Sequence, residues 1–205
     1  MTNARKSRES AREKVERMRA EQAAAARRRV IWIVAITLVL VLGLGGGITA
    51  LVLHDRKPAV DLSAVQSFTE SRNHVEGTVN YPQTPPAGGD HNPVWLNCGI
   101  YTSPVPNENA VHDLEHGAVW ITYQPDLAKD QIASLTKFAK GQTYLDLSPY
   151  PNLPAPVVVS AWGKQLRLTG ADDPRLEAFV KKYKGGAQTP EPGSPCTGGT
   201  GTPNG

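Results

Sequence analysis

The first quarter of the chain consists of a polar segment followed by a long apolar segment. Residues 30–53, VIWIVAITLVLVLGLGGGITALVL, form a run of 24 residues without a charged side chain, and a polar, Ala- and Arg-rich segment precedes it. About 20 apolar residues suffice to cross a bilayer as a helix. The pattern therefore predicts a helical arm over 1–29, a single transmembrane helix over 30–53 with the lipid bilayer as its partner, and a linker over 54–60.

The rest of the chain alternates between the helical period and the strand period, which is typical of an α+β domain. We expect this domain over 61–184, with two to four short helices covering a mixed or antiparallel sheet. The pattern predicts helices over 61–70, 108–116, 126–140 and 172–183, and strands over 75–79, 118–123, 144–147 and 157–168, the last a hairpin around Gly163 and Lys164.

The helix over 108–116 has the clearest boundary signals. Asn107 suits the N-cap, and the acidic Glu108 in the first turn suits the positive end of the helix dipole. Gly117 fits the position just after the helix, where a left-handed residue is common.

Two segments lack any such pattern. Residues 81–95, YPQTPPAGGDHNPVW, hold four Pro and two adjacent Gly. A loop of this length without its own structure is usually functional or disordered, and we expect it to pack on the domain because it leads straight into WLNCGIY. Residues 185–205 are rich in Gly, Pro and Thr, cannot bury a core, and are expected to be disordered.

Charge is distributed unevenly along the chain. The formal net charge is +3, and residues 1–29 contain 10 Lys and Arg against 4 Asp and Glu, so the remainder is mildly acidic. This balance argues against nucleic acid as a partner. The excess of Arg before the apolar run predicts a cytoplasmic N-terminus and an extracytoplasmic domain at the cell membrane.

The apolar run has two further interpretations. A cleaved signal peptide would have an apolar core of about 7–15 residues, and this run is longer, so an uncleaved signal anchor is favoured. Gly43 and Gly47 form a G-x-x-x-G pair that can support a weak homodimer of helices. The alternative is that the two Gly are ordinary small residues of a helix without a partner, and this interpretation is favoured.

Two blocks carry a family resemblance: HVEGTVNYPQTPPAGGDHNPVWLNCGIY over 74–101 and AVHDLEHGAVWITY over 110–123. They resemble the actinobacterial family known as DUF3105, a domain of unknown function, over about residues 65–185. The resemblance implies a basic cytoplasmic tail, one membrane helix and an exported domain in a bacterial cell envelope. It implies no established activity.

Four of the five His lie in the first half of the domain: His74, His91, His112 and His116. Residues four apart share one helix face, so His112 and His116 are expected to point the same way. Imidazoles, with or without the thiolate of Cys98, are ligands for Zn or Cu. The pattern therefore suggests a metal site. The alternative is that His112 packs, His116 complements the helix dipole and His91 braces its loop.

The string from His112 to His116 also matches H-x-x-E-H, in which two His hold Zn and the Glu activates water. Glu115 is thus a weak catalytic candidate. The motif needs a third ligand, for which only Glu177 is a candidate by position, and the helix is short. Short motifs match by chance, so a non-enzymatic function is favoured, with a hydrolase left open.

Cys98 and Cys196 are the only cysteines. An even number in an oxidising compartment predicts a disulfide between them. A disulfide would remove Cys98 from the metal ligands, because a metal needs the thiolate. The disulfide is favoured.

Three functional classes follow from these patterns. The first is a membrane-anchored, non-catalytic binding or accessory domain of the cell envelope, with an envelope protein or wall component as partner. The alternative is a copper- or zinc-binding accessory domain built on the His cluster. A zinc-dependent hydrolase is the third and least favoured.

Overall fold

The computed structural model describes residues 3–54 and 59–204 of the chain, which divides into two units between Ala59 and Val60. The first unit is one helix, α1, over Asn3–His54. No helix in the described part of the chain is both long enough and apolar enough to cross a membrane. The structure thus does not show the span predicted over 30–53.

Other expectations for this unit stay open. Residues 55–58 of the predicted linker lie outside the described residues. The weak homodimer through Gly43 and Gly47 stays a prediction.

The second unit is an α+β domain with a mixed sheet, as expected. Its described residues contain a five-stranded sheet in the order β1-β5-β4-β2-β3. Strands β2 and β3 are parallel, and the other neighbouring pairs are antiparallel. The strands are β1 Gln66–Ser67, β2 Val119–Tyr123, β3 Leu145–Pro149, β4 Val157–Ala161 and β5 Lys164–Leu168, and the helices are α2 Asn107–His116, α3 Lys129–Ala139 and α4 Arg175–Tyr183.

The sheet is covered on both faces, which explains its apolar strands. Alternate residues of a strand point to opposite faces. Val119 and Ile121 of β2 belong to a core with residues of α3 and α4. Trp120, between them, packs with Leu114 of α2 in a second core. Helix α2, which carries two of the candidate ligands, is therefore held against the sheet from the side opposite α3 and α4.

Residues 61–79 differ from the prediction. Instead of a helix over 61–70, the chain forms a turn at Ser63 and Ala64, and Gln66–Ser67 then pairs with β5 at the sheet edge. A ten-residue helix is marginal by itself, whereas an edge offers backbone partners such as the Gly163 carbonyl, which accepts from the Phe68 N–H at 2.9 Å. The strand expected over 75–79 is reduced to an isolated bridge between His74 and His91.

The segment 185–204, expected to be disordered, instead lies on the domain. Its backbone exchanges hydrogen bonds with the loop before α2: the Asn97 N–H donates to the Thr200 carbonyl at 2.7 Å, and the Thr200 N–H donates to the Trp95 carbonyl at 2.9 Å. Cys196 is also joined to Cys98. Backbone pairing and one covalent link order a segment whose composition offers little apolar surface.

Helix α2 ends at Gly117, where φ is +105°. A Cβ there would lie 3.1 Å from Thr189 Cγ2 and 3.2 Å from Gly185 Cα. Gly117→Ala is therefore expected to lower the free energy of unfolding by about 2–3 kcal/mol, because backbone strain and crowding add. Chemical denaturation measures it.

The matched control is Gly141→Ala. Its φ of +76° is also left-handed, but nothing lies within 4 Å of the added Cβ. It is expected to cost only the strain, about 1 kcal/mol. Equal losses in the two variants would show that the close approach at Gly117 contributes nothing.

Candidate metal centre

Helix α2 presents two sets of polar side chains to buried surroundings. Residues 110–116 are all buried. His112 and Glu115, three residues apart, lie on one face, where they meet two further His from the preceding loop. Asp113 lies near Cys98 and Asp146 instead. A short helix thus supplies ligand-type groups to two different places.

The Gly-rich loop brings His91 to this face. Gly88 and Gly89 have φ of +144° and +114°. A Cβ on Gly88 would come within 2.7 Å of Glu70 Cγ. Only glycine allows the loop to pack this closely, and the tight packing leaves the His91 side chain fully buried.

His74 reaches the site by pairing with His91. The His91 N–H donates to the Asn73 carbonyl at 3.0 Å, and the Val75 N–H donates to the His91 carbonyl at 2.8 Å. This parallel bridge sets the two His side by side, with ring centroids 4.9 Å apart. The His74 side chain remains 48% exposed and forms the solvent side of the cluster.

Four possible ligand atoms converge. One atom from each of His74, His91, His112 and Glu115 lies within 4.8 Å of the others. Glu115 Oε2 is 2.9 Å from His91 Nε2 and 3.6 Å from His74 Nε2. A tetrahedral ion with ligand distances of about 2.0–2.1 Å separates its ligands by about 3.3 Å, so the set is close to the spacing an ion requires.

Backbone carbonyls fix the ring nitrogens of two of these His. His91 Nδ1 donates to the Gly89 carbonyl at 2.8 Å, and His112 Nδ1 donates to the Asn92 carbonyl at 2.6 Å. A carbonyl only accepts, so in each neutral ring the proton sits on Nδ1 and the lone pair is on Nε2. Metal-binding His commonly make this second contact, which sets the ring orientation.

The fixed tautomer creates a conflict at His91. The lone pair of its Nε2 faces Glu115 Oε2 at 2.9 Å, and both groups are buried. Two acceptors at this distance repel unless a proton or a cation lies beside them. The pair is therefore completed either by a metal ion or by a proton between the two atoms.

His112 is suited to metal binding by its surroundings. Burial, together with the neighbouring rings of His116, His91 and His74, lowers its pKa to about 4. Its imidazole is therefore neutral at neutral pH, which is the form that binds a metal.

A sequence comparison places the chain in a family. The model of the family described as "Protein of unknown function (DUF3105)" matches residues 74–198, more than half of the chain. The chain belongs to the DUF3105 family. This confirms the resemblance inferred from the residues, while an actinobacterial source stays a prediction. Searches of curated proteins and of solved structures found no significant match.

The part of the chain matched to DUF3105 contains the whole candidate centre. It begins at His74 and includes His91, His112 and Glu115 as well as both cysteines. The family description states no activity for this DUF3105 domain.

His116, a predicted ligand, lies beside the cluster but outside it. Its ring is 4.4 Å from that of His112, yet its Nδ1 donates to the Pro195 carbonyl at 2.6 Å. Its Nε2 faces Glu191 Oε2 at 3.9 Å. The DUF3105 domain therefore brings three of the four predicted His together and places Glu115, not His116, as the fourth group.

The arrangement does not match the roles of the H-x-x-E-H motif. That motif needs both His on the metal and a Glu free to act on water. Here Glu115 faces His91, and His116 faces the C-terminal segment. Glu177 is exposed on α4 and belongs to neither group of ligand-type residues in the described part of this DUF3105 chain.

The predicted disulfide between Cys98 and Cys196 is confirmed. Cys98 therefore offers no thiolate to the His cluster. It lies in the other group, with Asp113 and Asp146.

Aromatic rings border the cluster, which the sequence did not indicate. The ring of Trp162 meets His91 edge-on, with centroids 5.8 Å apart. Trp95 lies 5.9 Å from His112 and 5.5 Å from His116. These apolar neighbours limit water around the three buried groups and leave the side of His74 as the open one.

Proposed function

We propose that this domain binds one divalent transition-metal ion, Zn(II) or Cu(II), as a non-catalytic accessory domain. The ligands are the Nε2 atoms of His91 and His112, a ring nitrogen of His74 and a carboxylate oxygen of Glu115. The observation that carries the proposal is the buried lone pair of His91 Nε2, held against Glu115 Oε2 at 2.9 Å. A cation beside both atoms resolves their repulsion.

The type of donor favours these two metals. Imidazole nitrogen suits Zn and Cu, whereas Mg and Ca prefer sets made only of oxygen. Three neutral rings and one carboxylate leave a divalent ion with one unit of net positive charge. The half-exposed His74 is the ligand through which an ion enters and leaves.

We also propose an extracytoplasmic location in the bacterial cell envelope. The disulfide supports this, because such bonds persist in oxidising compartments and are rare in the cytosol. An envelope protein or wall component remains the proposed partner of the domain.

The test is a metal titration of the full chain after removal of metal by a chelator. We expect one equivalent of Zn(II) or Cu(II) by elemental analysis, and loss of that equivalent in His112→Ala. His116→Ala is the matched control: it removes a neighbouring, equally buried imidazole and is expected to retain the ion. Absence of binding to the wild type would mean that a proton, not a metal ion, lies between His91 Nε2 and Glu115 Oε2, and loss in both variants would mean that the ligand set is wrong.

A further inference from the structure

A second buried group lies on the other side of α2, apart from the His cluster. It consists of Cys98, Asp113 and Asp146, whose ligand-type atoms lie within 4.8 Å of one another. Asp113 comes from α2 and Asp146 from β3, and both are fully buried. The proposed metal site uses none of these residues.

Few hydrogen-bond donors reach this carboxyl pair. Asp146 Oδ1 accepts from the Gly99 N–H at 3.1 Å. Neither oxygen of Asp113 has a donor in the described part of the chain. Burial favours the neutral form of each carboxyl, and two this close cannot both be ionised, so one stays neutral when the other gives up its proton. Burial raises the pKa of Asp146 to about 7, which agrees with this expectation.

The sulfur of Cys98 lies beside this carboxyl pair. Its Sγ is 3.8 Å from Asp146 Oδ2. A thiolate formed at Cys98 would be a partly buried charge beside the Asp146 carboxyl, and a proton on that carboxyl is in place to neutralise it. Proton transfer from Asp146 to the sulfur then leaves a neutral thiol and a single carboxylate, with the Asp113 carboxyl neutral.

The disulfide also faces a cavity. It has a volume of about 250 Å³ and is lined by Cys98, Gln142, Thr143, Tyr144, Cys196 and Thr197. Thr143 and Thr197 are exposed, so the cavity opens to solvent. Reagents in solution therefore have a path to the S–S bond in the folded protein.

We propose that the Cys98–Cys196 disulfide exchanges with external dithiols through this cavity, and that Asp146 passes a proton to and from Cys98 Sγ. This is a redox function, independent of the metal site.

The exchange takes two steps. In the first step a thiolate of the dithiol attacks Cys196 Sγ and forms a mixed disulfide, while the Cys98–Cys196 bond breaks. The electron pair of the broken bond goes to Cys98 Sγ, which then takes the proton of Asp146. The second thiolate of the dithiol then attacks the mixed disulfide at the dithiol's own sulfur and releases Cys196, which takes a proton from water. The dithiol loses two electrons and the protein gains two. In the reverse direction a small disulfide is reduced, and the Asp146 carboxylate accepts the Cys98 proton.

The first experiment uses the wild-type full chain without denaturant. Dithiothreitol is added at increasing concentration, thiols are trapped by alkylation, and labelled molecules are counted by mass. We expect a reduction rate that rises in proportion to the dithiol. A rate that levels off at the global unfolding rate in the same buffer would overturn the proposal, because the bond would then be reached only in the unfolded chain.

The second experiment tests the proton. Reduced Asp146→Asn is expected to be reoxidised by oxidised dithiothreitol about a hundredfold more slowly than the wild type, the lower end of what a positioned acid or base contributes. Asp146→Glu keeps the carboxyl and is expected to retain most of the rate. It provides a second test of the carboxyl if the Asn variant does not fold. Asp173→Asn alters a buried carboxyl elsewhere and is expected to leave the rate unchanged. An unchanged or faster rate in Asp146→Asn, or a loss in Asp146→Glu equal to that of the Asn variant, would overturn the role of Asp146.

Discussion

Saturating Zn(II) is expected to raise the free energy of unfolding of the wild-type chain by about 4 kcal/mol when the free ion exceeds its Kd a thousandfold. The ligands come from three separate parts of the chain: His74, the loop at His91, and α2. An ion bound to all three holds them together, and an unfolded chain cannot reproduce that arrangement. In His91→Ala this gain is expected to fall below about 1 kcal/mol, because a fully buried ligand is lost. Denaturant unfolding with and without the ion measures the gain.

The metal-induced gain, rather than the stability of each metal-free variant, is the quantity to compare. Without metal, His91→Ala leaves the buried Glu115 without its partner and is destabilised for that reason alone. His116→Ala is the control, since it lies next to the cluster and is expected to keep the full gain. A gain of equal size in His91→Ala and in the wild type would place the ion elsewhere.

The elements that sequence predicted well are those with local signals. Helix α2 was expected over 108–116 and is observed over Asn107–His116. Its end is as predicted, because Gly117 provides the left-handed residue there, whereas the N-cap is Pro106 and not the predicted Asn107. Strand β2 and the β4–β5 hairpin also lie where runs of β-branched and aromatic residues indicated. Such signals depend on residues that are close in sequence, so they hold whatever the rest of the fold is.

The failures are non-local. Residues 61–70 have a composition compatible with a helix, but the free edge of β5 offers Gln66 and Ser67 a partner that only the folded chain has. The C-terminal segment lacks apolar residues, and its order comes from the backbone of residues 95–100 and from Cys98. Composition near either segment contains no information about those partners.

The candidate centre was half predictable. The i,i+4 spacing drew attention to His112 and His116, yet spacing alone does not tell which side chains a distant loop will meet. His91 arrives beside Glu115, while the Pro195 carbonyl binds the Nδ1 proton of His116. One signal pointed to Glu115: it lies three positions after His112, so the two share a helix face. The pair of Asp113 and Asp146 had no signal, because 33 positions of chain separate two ordinary Asp.

Asp146→Asn is expected to gain stability relative to the wild type as the pH rises from 4 to 7. Burial raises the pKa of Asp146 from 3.8 to about 7. Over this range the native wild type keeps a proton that the unfolded chain has lost, so wild-type stability falls as pH rises. At 1.36 kcal/mol for each pKa unit, the relative gain of the variant is about 4 kcal/mol by pH 7. Urea unfolding at each pH, with a chelator present, measures it.

Asp173→Asn provides the contrasting case. Hydrogen bonds from Arg175 lower the pKa of Asp173, so that in both the native and the unfolded chain this carboxyl is ionised above pH 4 to 5. The stability difference between Asp173→Asn and the wild type is therefore expected to stay nearly constant from pH 5 to 7. In Asp146→Asn the pKa of Asp113 also falls, because Asp146 helps to raise it in the wild type. This second change adds to the expected gain in stability of Asp146→Asn at higher pH. A constant difference for Asp146→Asn as well would mean that the pair of buried carboxyls holds no proton, and the proton source proposed for Cys98 would be lost with it.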